Sequence, residues 1–219
     1  MSIETGRPIR KKSSRRLYYF CKRFFDIVLS VLAAIVLMPV LLLIALLVKL
    51  EDGGPVFYKH KRLGRYRKEI AIYKFRSMCV DADHLEAKLT DAQYEQYMKE
   101  FKLDDDPRIT RVGSFLRKTS LDELPQLWNI IKGDLSIVGP RPIVAKEIYV
   151  YPEEDHERFF SAKPGLTGYW QAYARNDATY ESGQRQKMEL HYVDHAGFLM
   201  DLKIIGKTFV TVLKRTGAK

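Results

Sequence analysis

The chain of 219 residues has few cysteines and lacks the common motifs of nucleotide-binding proteins and hydrolases. Cys21 and Cys79 are too few for a disulfide framework, and no C-x-x-C spacing indicates structural zinc. This composition favours a reducing compartment, either the cytosol or the membrane face that borders it. The chain contains no Walker loop, no Gly-x-Gly-x-x-Gly and no Gly-x-Ser-x-Gly. These absences exclude the standard phosphate-binding loops and the nucleophile elbow of α/β-hydrolases.

Positive charge is concentrated at the start of the chain. The formal net charge is +10, and residues 1–23 carry eight basic side chains against a single acidic one, Glu4. The rest of the chain is nearly neutral. A basic arm of this kind favours contact with anionic lipids at a membrane surface, and a polyanion-binding protein is a competing class. Nucleic acid is disfavoured as a partner because the body of the protein carries little net charge.

A long apolar segment follows the arm. Ile27 to Val48 are 22 residues without a charge, enough to cross a bilayer core, which takes about 20 helical residues. Pro39 removes a helical hydrogen bond near the middle of the segment. Both flanks are basic, and the positive-inside bias places basic flanks on the cytoplasmic side. We therefore predict an arm (1–26), a re-entrant membrane helix broken at Pro39 (27–50) and a domain on the cytoplasmic face (51–219). A spanning helix with a proline kink is the alternative.

The remainder of the chain predicts an α+β domain, which is small and mixed, with a β-hairpin and surface helices. The hairpin pairs Val56–Arg62 with Glu69–Met78 around a turn at Gly64–Arg67. Helical patterns cover Asp81–Phe101, Arg111–Lys118, Ser120–Lys132, about Val144–Ser161 and about Phe198–Arg215. The last helix has one apolar side, which predicts a core position, with a position on the membrane surface as the alternative.

The segment Ser120-Leu121-Asp122-Glu123 has two interpretations. As a helix start, Ser120 is the cap, Glu123 completes a capping box and Asp122 complements the helix dipole. As an active site, a carboxylate in the first helical turn keeps its ionised form and can act as a nucleophile. Two adjacent carboxylates can also hold a divalent ion that neutralises a pyrophosphate. The local pattern alone favours the cap.

Other polar residues offer weaker indications. Arg76, Arg117 and Arg141 suit bidentate phosphate contacts, and surface ion pairs are their alternative. His191 and His195 lie four residues apart on one helix face, as metal ligands can, but no clear third ligand accompanies them. A zinc site is therefore disfavoured.

Five motifs make the sequence recognisable. In chain order they are Lys22-Arg23-x-x-Asp26, Tyr73-Lys74-Phe75-Arg76-Ser77-Met78, Ser120-Leu121-Asp122-Glu123-Leu124-Pro125-Gln126, Gly139-Pro140-Arg141-Pro142 and Lys163-Pro164-Gly165-Leu166-Thr167-Gly168. With them, the chain resembles the bacterial sugar transferase family, the monotopic phosphoglycosyl transferases, from about Lys22 to Arg215.

The resemblance implies an enzyme on the cytoplasmic face of the bacterial inner membrane. It would move a sugar-1-phosphate from a UDP-sugar to undecaprenyl phosphate and release UMP, which starts a capsule, exopolysaccharide or O-antigen glycan. The metal would be Mg²⁺, or Mn²⁺, held by Asp122 and Glu123. Asp122 would attack the β-phosphorus, while Glu123 would stabilise charge. Substrate and phosphate contacts are expected from Lys74, Arg76, Arg117, Arg141, Arg175 and Asp201.

One departure from the family concerns the helix break. Members often have Ser-Pro there, whereas this chain has Met38-Pro39. The branch of the family that uses UDP-galactose or UDP-glucose is the better match. The sequence leaves open the sugar, the glycan and the oligomeric state, for which a homodimer is one option. A membrane-anchored scaffold of glycan assembly, without catalysis, is the alternative function.

Overall fold

The computed structural model describes residues 12–82, 89–100, 103, 106–174 and 182–213. These residues form two compact units. The first contains the described residues up to Ile35, together with His60–Ile72 and the described residues from Gln126 onward. The second contains Val36–Lys59 and Tyr73–Pro125. Several motifs of the sequence analysis therefore fall in different units.

A single long helix, α1, runs from Lys12 to Asp52. It begins well before the predicted membrane segment, because residues of the basic arm join the same helix. Pro39 lies inside α1 and does not end it, so the predicted break is not an interruption of the helix. By length and composition, the part from Arg15 to Asp52 is able to cross a membrane, and little of it is buried within the protein. The re-entrant course stays a prediction.

Two pairs of short strands organise the described residues that follow α1. The predicted hairpin is confirmed, with β1 (Phe57–Leu63) and β2 (Glu69–Phe75) joined through a 3₁₀ turn. The second pair was not predicted: β3 (Ser136–Val138) pairs in parallel with β4 (Gly165–Thr167). Strands of three residues are too short to show an alternating pattern. In addition, β4 lies within Lys163–Gly168, whose proline and glycines are typical of a loop.

The predicted helices are present, but several are divided. Leu89 and Thr90 are not helical, and Pro152 separates a 3₁₀ helix at Ala145–Val150 from the α-helix that follows. Part of the predicted helix Asp81–Phe101 lies outside the described residues. The α-helices after β2 are α2 (Asp91–Glu100), α3 (Arg111–Thr119), α4 (Gln126–Lys132), α5 (Glu153–Ser161), α6 (Tyr169–Tyr173), α7 (Gln184–His195) and α8 (Phe198–Leu213).

Each unit has its own apolar core. In the second unit, Ile44 and Val48 of α1 pack with Phe75 of β2 and Leu116 of α3. In the first unit, one cluster joins β2 to α4 through Ile72 and Ile130, and further clusters surround α5, α7 and α8. The core of the second unit thus places the end of β2 against α3, where the candidate site begins.

The core position predicted for the apolar side of α8 is wrong. Leu199 is 77% exposed and Phe209 is 68% exposed, whereas Asp201 is buried. Ile204 is buried on the inner side of the same helix. A helix that turns large apolar side chains outward and a carboxylate inward suits a membrane surface, which was the alternative interpretation.

Candidate active site

The acidic pair Asp122 and Glu123 lies directly after α3, in a turn that the cap interpretation did not predict. Ser120 has a left-handed backbone (φ 57°), and its N–H donates to the Arg117 carbonyl oxygen, so it ends α3. The side chain of Ser120 makes no capping hydrogen bond. Leu121–Glu123 form one 3₁₀ turn, and α4 starts only at Gln126. The predicted capping box is therefore wrong, and the carboxylates are not in the first turn of an α-helix.

Lys74 joins the two carboxylates. Its Nζ lies 2.7 Å from Glu123 Oε1 and 3.5 Å from Asp122 Oδ2. Asp122 is 8% exposed, while the side chain of Glu123 is partly open to solvent. Lys74 is near the end of β2, and the packing of Phe75 against Leu116 holds this strand end against α3. The structure thus brings Lys74 to two carboxylates that lie 48 and 49 positions after it in the sequence.

The environment of Asp122 differs from the one predicted. Burial raises the pKa of its carboxyl above the ordinary value, and the negative charge of Glu123 also raises it. Lys74 lowers the same pKa by charge and by hydrogen bonding, and Arg117 lowers it by charge. The ionised form therefore depends on neighbouring cations, and not on a helix end as the sequence analysis assumed.

Arg117 belongs to the same neighbourhood. Its Nε donates to Ser77 Oγ over 2.9 Å, and burial lowers the pKa of its guanidinium. Gly113 explains how α3 reaches the segment after β2, because a Cβ at that position would lie 2.0 Å from the Ser77 carbonyl oxygen. This close approach requires glycine at position 113, and it fixes the position of Arg117 relative to Lys74.

Arg76 has strong partners within the protein. Its guanidinium forms a two-pronged ion pair with Asp52 at the end of α1. It also donates to the carbonyl oxygen of Pro55 over 2.6 Å. This geometry supports a structural role in which Arg76 ties α1 to the end of the hairpin, and its contact with phosphate stays a prediction.

Arg141, in the first unit, follows the stiff Gly139-Pro140 turn. Its backbone N–H donates to Glu189 Oε2 over 3.1 Å, and its guanidinium lies 5.8 Å from the centre of the Trp170 ring. Arg185 lies 3.9 Å from the same ring. Sequence reasoning missed Trp170, Arg185 and Glu189, because none of them belongs to a motif. In particular, a single glutamate in a polar helix carries no signal of burial.

Asp201 connects both ends of the first unit. One carboxylate oxygen accepts from Tyr18 and Lys22 of α1, and the other accepts from Tyr192 of α7, each over 2.8 Å. These bonds tie α1 to α8, so a role for Asp201 in substrate binding stays a prediction. Arg175 lies outside the described residues.

Two sequence patterns bear on metal ligation, the pair of histidines and the pair of carboxylates. The His191 and His195 rings stack at 4.4 Å, and the described residues contain no group of three His, Cys, Asp or Glu side chains placed to hold a metal. The divalent ion predicted at Asp122 and Glu123 stays a prediction. Two carboxylates fit Mg²⁺, which is commonly bound by one or two carboxylates together with substrate phosphates.

The site and fold define a class of α+β protein with a long apolar N-terminal helix and an acidic pair, in which the buried carboxylate of Asp122 lies beside Glu123 and Lys74. Residues 17–215 match the family model described as bacterial sugar transferase. The chain belongs to that family.

Three curated relatives show the extent of the similarity. The undecaprenyl-phosphate galactose phosphotransferase of Salmonella typhimurium is 44% identical over all of this chain and 45% of its own length. The UDP-galactose-lipid carrier transferase of Erwinia amylovora is 42% identical with the same coverage. The exopolysaccharide production protein ExoY of Sinorhizobium fredii is 45% identical over 90% of this chain and 87% of its own length. The chain thus spans about half of the first two relatives and most of the third.

Proposed function

We propose that this protein transfers a sugar-1-phosphate from a UDP-sugar to undecaprenyl phosphate and releases UMP. The sugar is a hexose such as galactose or glucose, and the product starts a capsule, exopolysaccharide or O-antigen glycan. Membership of the sugar transferase family supports the reaction class. The names of two relatives include galactose together with a lipid or undecaprenyl-phosphate carrier, which supports the donor sugar and the acceptor.

The observation that carries the proposal is the buried carboxylate of Asp122 beside Lys74 and Glu123. A structural cap would be exposed at a helix end, whereas this carboxylate is buried and a cation lies beside it. Burial removes water, which would otherwise solvate the carboxylate and hydrolyse an acyl phosphate. The arrangement is that of an activated nucleophile whose charge is maintained by its neighbours.

The proposed reaction has two displacement steps. A carboxylate oxygen of Asp122 forms a bond to the β-phosphorus of the UDP-sugar, and the bond from that phosphorus to the bridging oxygen breaks. The bridging oxygen leaves with the α-phosphate as UMP. A phosphate oxygen of undecaprenyl phosphate then attacks the same phosphorus, which frees Asp122 and forms the lipid diphosphate sugar. No proton needs to be removed from either nucleophile, provided that both are ionised.

Charge neutralisation is the main task of the surrounding side chains. The ammonium of Lys74 and the guanidinium of Arg117 are available to offset negative charge on the phosphates. Asp122 and Glu123 would hold Mg²⁺, or Mn²⁺, and the bound ion would supply further neutralisation of the pyrophosphate. Arg141 would contact phosphate through its planar fork.

We place the protein at the inner membrane of a bacterium, with its catalytic residues on the cytoplasmic face. The outward apolar side chains of α1 and α8 support attachment to lipid. The basic residues of the arm would contact anionic headgroups.

Release of UMP by the purified full chain tests the function. With Mg²⁺, UDP-galactose or UDP-glucose and undecaprenyl phosphate, we expect continuous UMP formation. Without the acceptor, we expect about one UMP per active site and a gain in protein mass of one sugar-phosphate, as a covalent intermediate requires. The variant Asp122→Asn should show neither. A burst of UMP from this variant would assign the nucleophile to another residue, and no UMP from any UDP-sugar would support the scaffold.

A further inference from the structure

Glu189 of α7 is a buried carboxylate for which the proposed reaction has no use. It is 0% exposed, and its Oε2 accepts the backbone N–H of Arg141 over 3.1 Å. Its Oε1 has no hydrogen-bond partner among the described residues. Burial of a carboxylate with so few hydrogen bonds is unfavourable, and the amide of glutamine could accept the same N–H at a smaller desolvation cost. The hydrogen bond alone does not account for a charged residue here.

Among the described residues, the charges that act on Glu189 are those of two arginines. They are Arg185, on the same helix, and Arg141, which follows the Gly139-Pro140 turn. Both guanidinium groups lie on the ring of Trp170, at 3.9 Å for Arg185 and 5.8 Å for Arg141. Nε of Arg141 is buried and has no hydrogen-bond partner within the described part of the chain. The ring thus restrains the guanidinium of Arg141, and Glu189 restrains its backbone.

We propose that Glu189 is a positioning residue for Arg141: it holds the backbone of that arginine, and its negative charge controls how strongly the guanidinium attracts a phosphate group. This inference rests on the proposed function, in which Arg141 contacts phosphate. Glu189 does not touch the substrate in this scheme and acts through its neighbour.

The charge on Glu189 responds to its surroundings near neutral pH. Burial raises the pKa of its carboxyl to about 7, although Arg185, the hydrogen bond from Arg141 and the charge of Arg141 all lower it. A phosphate at Arg141 brings further negative charge, which raises the pKa of Glu189 again. Phosphate binding and protonation of Glu189 therefore favour each other, because linked equilibria are reciprocal. Phosphate affinity should be greatest when Glu189 is neutral and should decline as the pH rises through about 7.

Binding of inorganic pyrophosphate to the full chain in lipid nanodiscs tests the role of the charge without requiring turnover. Calorimetric titrations of the wild type and Glu189→Gln are compared from pH 5.5 to 8.5, and the ratio of their dissociation constants cancels the titration of pyrophosphate itself. We expect similar affinities at low pH and weaker binding by the wild type at high pH. The difference should be roughly tenfold for each unit by which phosphate raises the pKa of Glu189. A ratio that does not change with pH would overturn this role.

Glu154→Gln is the matched control, because it makes the same chemical change at an exposed position of α5. It should follow the wild type at every pH. A pH-dependent ratio for this control as large as that for Glu189→Gln would also contradict the proposal, since any carboxylate would then have the same effect.

A double-mutant cycle tests whether Glu189 acts through Arg141. At pH 5.5, where Glu189 is neutral and its charge does not enter the comparison, Glu189→Ala removes the acceptor of the Arg141 N–H and should weaken pyrophosphate binding, whereas it should have little further effect in an Arg141→Gln background. Additive losses would overturn the positioning role. If Glu189→Ala does not fold, Glu189→Asp replaces it in the cycle. A wild type that binds pyrophosphate in this way but releases no UMP would contradict the proposed function and leave the inference standing.

Discussion

The ammonium of Lys74 donates to Glu123 Oε1 over 2.7 Å, whereas Asp122 Oδ2 lies 3.5 Å from the same nitrogen. The shorter and stronger bond is thus made to the more exposed carboxylate. Asp122, the more buried of the two, receives positive charge without being held in a short ion pair. This division suits a pair in which one carboxylate attacks phosphorus and the other anchors the lysine.

Removal of the lysine charge should alter both rate and pH dependence. Lys74 lowers the pKa of Asp122, so Lys74→Met should raise that pKa and reduce the ionised fraction. We expect a loss of roughly 100-fold or more in kcat/KM and a shift of the acidic limb of the pH–rate profile to higher pH. Lys61→Met is the control, because Lys61 forms an exposed ion pair with Glu69. An unshifted acidic limb would remove Lys74 from this role.

Loss of the Asp122 charge should not destabilise the fold. Its pKa is raised in the folded protein, so the folded state binds its proton more tightly than the unfolded state does. The free energy of unfolding therefore falls as the pH rises from the ordinary pKa of an aspartate to the raised one, and this loss persists at neutral pH. Asp122→Asn should melt at the wild-type temperature or slightly above it at pH 7, while turnover falls on the order of 10³-fold. A large drop in melting temperature would indicate a structural role instead.

Replacement of Arg141 by lysine should not be tolerated. Arg141→Lys keeps the charge and the backbone N–H that Glu189 accepts, but it loses the planar fork and its position on Trp170. We expect most of the activity to be lost, with the KM for the UDP-sugar raised. Activity close to that of the wild type, measured as UMP release, would leave Arg141 with a structural role only.

Labelling of cysteines in intact cells distinguishes the two courses of α1. In a background without Cys21 and Cys79, we expect Ser13→Cys and Tyr149→Cys both to resist an impermeant thiol reagent, because a re-entrant helix keeps both on the cytoplasmic side. Tyr149 is 87% exposed, so protection there cannot be attributed to burial. Labelling of Ser13→Cys alone would show that the helix spans the membrane.

The outward side of α8 should contribute to membrane attachment. Leu199 and Phe209 are mostly exposed, and lipid is the environment that would cover them at least cost. We expect Leu199→Ser with Phe209→Ser to increase the fraction of protein that alkaline washing releases from membranes. Because neither side chain is in a core, the melting temperature in detergent should change little. Unchanged release would assign this surface to another partner.

Local sequence was sufficient to identify the long apolar segment, the hairpin and the family. Each of these features is local in the sequence. They are a charge-free run of 22 residues, a turn between two β-rich stretches and a set of ordered motifs. The acidic pair could be found in the same way, as part of such a motif.

The surroundings of those residues became known only from the packing of the folded chain. It showed that Ser120 ends one helix instead of starting another, that Lys74 meets Glu123, and that α8 turns Asp201 inward and Leu199 outward. It also showed that Glu189 is buried and that its carboxylate accepts the backbone N–H of Arg141. Burial and the distances between side chains remote in sequence depend on how elements pack, and hydrophobic periodicity specifies only which face of each element is apolar. The pKa of a carboxyl follows from that packing, and so does its chemistry.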